Sequence, residues 1–569
     1  MFATPRAIPR WALPLLVAAS FLLILVPFAA IEIPPLTDYP NHLARFWLIA
    51  GGVTQPPMPR FFAIDWSRVS TNMGLDLMVL ALSKVASGFT LARAAMVLAA
   101  LAPPLGALAL NLRLWRRFDP WQALLPLAAW STTFLMGFLN FQIGLGLALA
   151  FAALDPMFLR GPKALEPSPV RSNRPDRDKK ARFFEFERLL IAQPVPTLAG
   201  GALALVRVPL GLVLAANHLF ALLFYAVLLA GLAFGREGAL PPRWPALFPR
   251  LRRAALAGAW CLIPLAMVVL WGRALPGSQV GGFAEFHYDS VAGVLTALVS
   301  PLVTYNVPLE LVIAILLGAF VTLLARRGLI EAHTGLLVAA IGLEVLSLLT
   351  PNYAAGTGWV ARRMPIMALL AAASAVRLTP AGAARAGFAF SAAALAMVAG
   401  RTGWVAWNWT AMQPNIAAVE QVLAEVPAGA AVLPAQHKPS GWSRFIAPPG
   451  RYIFSVDDPT FRHYAALATP LRRAFVPNLF SSLGKQPLQI LGDWDPLVEH
   501  DGADLASVSS LNQPPTKKSP RYLAGWRSRF DYLLVLNADL PDAHGPFRPP
   551  PGVTLVADRG FAQLWKIQR

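Results

Sequence analysis

From Trp11 to Ile31 the chain runs without a charge, directly after Arg6 and Arg10. About 20 such residues are what a helix needs to cross a bilayer's hydrocarbon core. A cleaved signal peptide is the competing reading, since Ala29 and Ala30 are small. Its apolar core would normally end after about 7–15 residues, however, and this run is longer. Comparable stretches recur at Leu91–Leu112, Trp121–Met136, Ile143–Leu159, Leu198–Ala216, Leu219–Phe234, Ala254–Trp271, Leu309–Ala325, Thr334–Leu349, Met364–Ala375 and Ala386–Ala399. The pattern predicts an α-helical polytopic membrane protein with about eleven transmembrane helices. Composition agrees: 56% of the 569 residues are hydrophobic and only 14% charged, against about a quarter charged in an average soluble domain. A lone cysteine, Cys261, excludes an intramolecular disulfide and a CxxC site.

The net charge of +19 suggests nucleic-acid binding at first sight. Its distribution argues against that. Arg6, Arg10, the Arg113/Arg116/Arg117 cluster, Arg326-Arg327, Arg377 and Arg385 all fall on one side of the expected spans. Cytoplasmic loops retain Lys and Arg, so the expected orientation is N-terminus inside and C-terminus outside, with membrane lipids as the surroundings. Residues 160–190 hold nine basic and five acidic residues among prolines. They read as a solvated cytoplasmic insertion resting on anionic headgroups.

Residues 1–402 are thus expected to form a membrane domain with a large outer loop at 32–90. That loop carries two amphipathic helices, one near Pro40–Ala50 and one near Asn72–Val85, lying in the outer interface. From about 403 to 569, Pro and Gly punctuation and short β-rich runs such as Tyr532–Leu536 predict a small extracytoplasmic α/β domain.

Polar residues at the outer helix ends are the informative ones, because burying them near lipid is costly unless they are used or paired. After the first span come Pro34 and Pro35, then Thr37-Asp38-Tyr39-Pro40-Asn41-His42 and Arg45. His42 and Arg45, three apart on a helix, share a face. A carboxylate, an imidazole and a guanidinium so close suit proton abstraction beside a phosphate. The bland alternative is that Asp38 caps the helix. Asn140 and Gln142 sit at a second outer turn, and His218 at a third. A glycine-containing loop over 273–289 adds Arg273, Glu285, His287 and Asp289. Arg362 and Arg363 stand at the last outer turn, where guanidinium groups would hold an anion. Glu344, within a span, is expected to be protonated or paired with Arg207.

This layout resembles the GT-C class of membrane glycosyltransferases, which use polyprenyl-phosphate-linked sugars. Thr37-Asp38-Tyr39 occupies the position of the class's acidic motif. The resemblance implies Asp38 as general base, with His42, Arg45, Asn140, Gln142, His218, His287, Arg362 and Arg363 around donor and acceptor. It implies a polyprenyl-phosphate sugar donor and an acceptor of glycan, lipid or protein type. Asp38 has no acidic neighbour before Asp65, so a divalent metal is left without the paired-acid motif that would hold it. A lipid-linked saccharide transporter and a non-catalytic scaffold of the same architecture are the two rival readings.

Overall fold

The computed structural model describes residues 11–155, 205–235, 244–275, 286–354, 357–439, 446–454, 458–502, 505–517, 519–541 and 547–569. The basic insertion at 160–190 and Glu285 lie outside these residues.

Five described helices, not about eleven, are long and apolar enough to cross a membrane: Ala12–Ala30, Gly88–Trp115, Leu247–Ala274, Val307–Arg326 and Ala386–Leu423. These are consistent with membrane association. The eleven-helix polytopic fold is therefore corrected to a mixed α/β fold with extensive sheet and loop packing. The reason is visible in the segments that fail. Trp121–Met136 is a 3-10 helix over Pro120–Trp130, started by an Asp119/Gln122 capping box and containing Pro126, then a single turn at Thr132–Leu135. Proline removes the backbone donor that a long α-helix needs. The segment is nonetheless almost wholly buried, because it packs against the helix Pro380–Leu423. Hydropathy reports that a run is apolar; it does not say whether lipid or protein covers it. Shorter apolar helices stand at other expected spans: Leu139–Ala153, Arg207–Asn217, Leu219–Phe234, Thr334–Leu349 and Met364–Ala375, of 11 to 16 residues.

Exposed apolar surface concentrates on Leu247–Ala274 and Val307–Arg326, whose most apolar windows are only 11% buried. Leu262, Leu270, Trp271, Ile315 and Leu316 face outward there. A helix that apolar and that exposed needs a hydrophobic environment.

The carboxy-terminal part is built on a five-stranded sheet in the order Ala506–Ser507, Val432–Gln436, Tyr532–Leu536, Ala562–Ile567, Val553–Asp558. The first three strands run parallel and the last two join antiparallel. A continuous helix, Pro380–Leu423, leads into it. The first loop also reaches across: Phe62–Ile64 pairs antiparallel with Leu488–Ile490, and Phe61 and Phe62 stack on Phe475. One hydrophobic core consequently extends from Val17 to Ile567.

The helix expected to lie in the interface, Tyr39–Ile49, is instead buried on nearly all sides. It is held between Gly88–Trp115 and the 464–472 segment. Gly74–Leu82 does expose Leu77, Leu80 and Leu82. Arg207 pairs with Asp155 through two bonds of 2.8 and 2.9 Å rather than with Glu344.

Candidate functional site

Asp38 owes its position to a close backbone approach. Thr37 and Asp38 donate their N–H groups to the carbonyls of Leu135 and Met136 at 3.1 and 3.0 Å. The partner segment then turns at Gly137, whose φ is +88°. A Cβ there would lie 2.8 Å from the Asp38 Cβ, so both the turn and the contact require glycine. The Gly137 carbonyl is itself gripped by His42 Nε2 at 3.1 Å.

Asp38 precedes the helix Tyr39–Ile49, yet its side chain makes no capping bond. The ordinary structural use of such an aspartate is therefore not made. Its side chain is only 14% accessible, and among the described residues the one basic group within ion-pair distance is His463, with Nε2 at 3.5 Å. Burial lifts the Asp38 carboxyl to about 7. Arg462, Arg363 and Arg45 pull it back toward the ionised form, while Asp458 pushes in the same direction as burial. A carboxyl poised there is matched to proton transfer near neutrality.

His463 comes from the carboxy-terminal part, and no local pattern in the sequence marks it. Its tautomer follows from a chain of bonds. Phe480 donates its backbone N–H to Asn41 Oδ1 at 2.8 Å, and Asn41 Nδ2 donates to the Asn478 carbonyl at 2.8 Å. The amide orientation is thereby set, and the same Nδ2 faces His463 Nδ1 at 3.3 Å. Nδ1 is an acceptor, so the proton of the neutral ring sits on Nε2, toward Asp38. Burial and the nearby Arg462 hold His463 well below its usual range, so the ring is neutral at pH 7.

The adjacent arginines have different surroundings. Arg362 is engaged by Asp289 at 3.1 Å and lies over Trp359. Among the described residues no carboxylate is bonded to Arg363 and its Nε has no partner. It is buried, with Phe138, Phe141 and Phe220 around its guanidinium at 4.3 to 5.4 Å. Burial lowers it to about 10, and the charge of Asp38 works against that lowering. Asp38 and Arg363 thus share one electrostatic neighbourhood.

His218 joins them. Phe220 donates its N–H to His218 Nδ1 at 3.2 Å, which leaves the ring proton on Nε2. That Nε2–H stands 3.3 Å from an Arg363 Nη1 donor. Two donors do not satisfy each other; an acceptor oxygen between them would satisfy both. The arrangement can therefore bind an anion.

The remaining expected residues hold the scaffold. Arg45 bonds Asp76 at 2.9 Å and His42 Nδ1 at 3.1 Å, all inside the core, so this pair braces Gly137 and does not point at a substrate. Asn140 caps the helix Gly74–Leu82 through bonds to the Leu75 N–H and the Asn72 carbonyl. Gln142 donates to Ser131 and Thr133. His287 is exposed on a two-residue strand opposite Tyr353.

Around Asp38 lie an imidazole, the carboxylate of Asp458 and several guanidinium groups, a mainly cationic set that does not suit a divalent cation. Among the described residues no cluster of three or more His, Cys, Asp or Glu has metal-holding geometry. No family model matches the chain, and no curated protein matches it.

Proposed function

We propose that the protein is a glycosyltransferase that moves a sugar from a polyprenyl phosphate to an acceptor hydroxyl at the outer face of a bacterial cytoplasmic membrane. The observation that carries this reading is a buried carboxyl, poised near neutrality and making no capping bond, in the field of a buried arginine that has no bonded carboxylate among the described residues. The long apolar helices supply the means of meeting a lipid-linked donor.

Asp38 takes the proton of the acceptor hydroxyl as its oxygen attacks the anomeric carbon. The bond from that carbon to the phosphate oxygen breaks, and polyprenyl phosphate leaves with the electron pair. Attack opposite the leaving group inverts the anomeric configuration. Charge grows on the phosphate at this moment, and Arg363 with His218 Nε2–H are the donors that meet it. The leaving phosphate needs little proton assistance, so no second acid is required.

The test is reconstitution of the whole protein in liposomes with radiolabelled polyprenyl-phosphate hexoses and pentoses. Transfer is expected, and Asp38→Asn is expected to lower it by at least ~10³-fold while the fold is kept. Movement of the donor across the bilayer without transfer would identify a transporter instead. Neither transfer nor movement would identify a scaffold. Undiminished turnover by Asp38→Asn would remove the base from Asp38.

A further inference from the structure

We infer that His463, held in a single tautomer by Asn41, is a positioning residue for Asp38, contributed by the carboxy-terminal part of the chain to a site otherwise built from the amino-terminal part. Its catalytic consequence rests on the glycosyltransferase reading; its effect on the carboxyl does not.

The groups facing Asp38 have distinct capabilities. Arg45, Arg363, Arg462 and Asp458 act on it through their fields. Among the described residues, His463 is the one ion-pair partner, with its ring nitrogen Nε2 at 3.5 Å from an Asp38 carboxylate oxygen. That is a loose approach, of the kind that tightens when a substrate closes the site. Closing that gap would let the donor hold one oxygen and leave the other free for the acceptor.

A proton relay through His463 is excluded by its bonding. Nε2 already carries a hydrogen, and Nδ1 already receives the Asn41 amide. A proton entering at Nε2 has nowhere to go unless Asn41 rotates. Rotation would break two bonds of 2.8 Å to the backbone at Asn478 and Phe480. Phe480 also packs edge-on against both His463 and His42 at 5.1 and 5.8 Å. The ring is thus clamped, which orients a partner well and shuttles a proton poorly.

The sequence kept this from view because Asn41 and His463 are 422 positions apart. Three side chains with no shared motif meet only after the 458–502 region has docked on the Tyr39–Ile49 helix.

A donor to the ionised form favours ionisation. Removing it must raise the Asp38 titration midpoint. Infrared difference titration of the purified full chain in detergent follows the carboxyl band that disappears in Asp38→Asn. A midpoint near 7 is expected in the native protein. His463→Leu should move it up by roughly one unit, and His463→Gln, whose amide nitrogen reaches the Nε2 position, should restore it. If His463→Leu does not fold, His463→Asn, with an amide too short to reach, gives the same upward shift. A folded variant lacking the donor, with an unmoved midpoint, overturns the inference whatever the transfer assay shows. In that assay the acidic limb of kcat/KM should move with the infrared midpoint. Loss of transfer in Asp38→Asn with an unmoved midpoint in His463→Leu would leave the base in place and dismiss its positioner.

Discussion

Two carboxylates of the first loop each have an arginine as electrostatic neighbour, and the two pairs differ in one respect. Asp76 and Arg45 are in direct contact at 2.9 Å and fully buried. Asp38 and Arg363 are also buried and sense each other's charge, but they are held apart, and each faces a neutral imidazole instead. The first pair neutralises itself and braces the turn at Gly137 through His42. The second pair retains its unsatisfied charge. A buried charge without a contacting partner costs folding free energy, and the separated pair bears that cost.

The largest expected effect comes from opening the closed pair. Arg45→Leu leaves Asp76 buried without its cation and should lower unfolding free energy by ~3–5 kcal/mol, read by chemical denaturation.

The separated pair should respond in the opposite sense. The Asp38 carboxyl stands at about 7 in the folded chain against 3.8 in its absence. The folded state therefore binds the extra proton between those values, and stability declines as pH rises from 4 through 7. Asp38→Asn removes the penalty. It should equal the native protein in stability at pH 4 and exceed it by ~2–4 kcal/mol at pH 8, checked by thermal melts at both pH values.

Next in size, Arg363→Gln should lower transfer by ~10²-fold, as loss of a donor to developing charge does, without loss of melting temperature. Smallest is Arg362→Gln. Its guanidinium is already engaged by Asp289, so transfer should change by less than ~10-fold. Equal losses from the two arginine variants would erase the distinction drawn between them.

What the sequence could and could not reveal follows from the range of the interactions. Long apolar helices such as Ala12–Ala30 and Val307–Arg326 are local features, and their extent is legible directly. Trp121–Met136 is apolar to the same eye, but its cover is protein, which is a tertiary fact. Asp38 stood out because proline-bounded position and charge are local. Arg363 was singled out together with Arg362, since adjacent identical residues differ only in distant partners: Asp289 for one, His218 and three aromatic rings for the other. His42 and Arg45 share a helical face as their spacing requires, yet that face turns to Asp76 rather than to the carboxyl beside them. His463 had no local mark at all.

The bonds that orient Asn41 end on backbone atoms of residues 478 and 480. Side-chain replacements at those positions leave the carbonyl and the N–H in place, so the connection tolerates sequence drift and yields only to displacement of the chain. A newly made protein whose carboxy-terminal half has not yet seated holds an unarmed aspartate. Until that docking is complete, Asp38 stands without the imidazole that faces it in the folded chain.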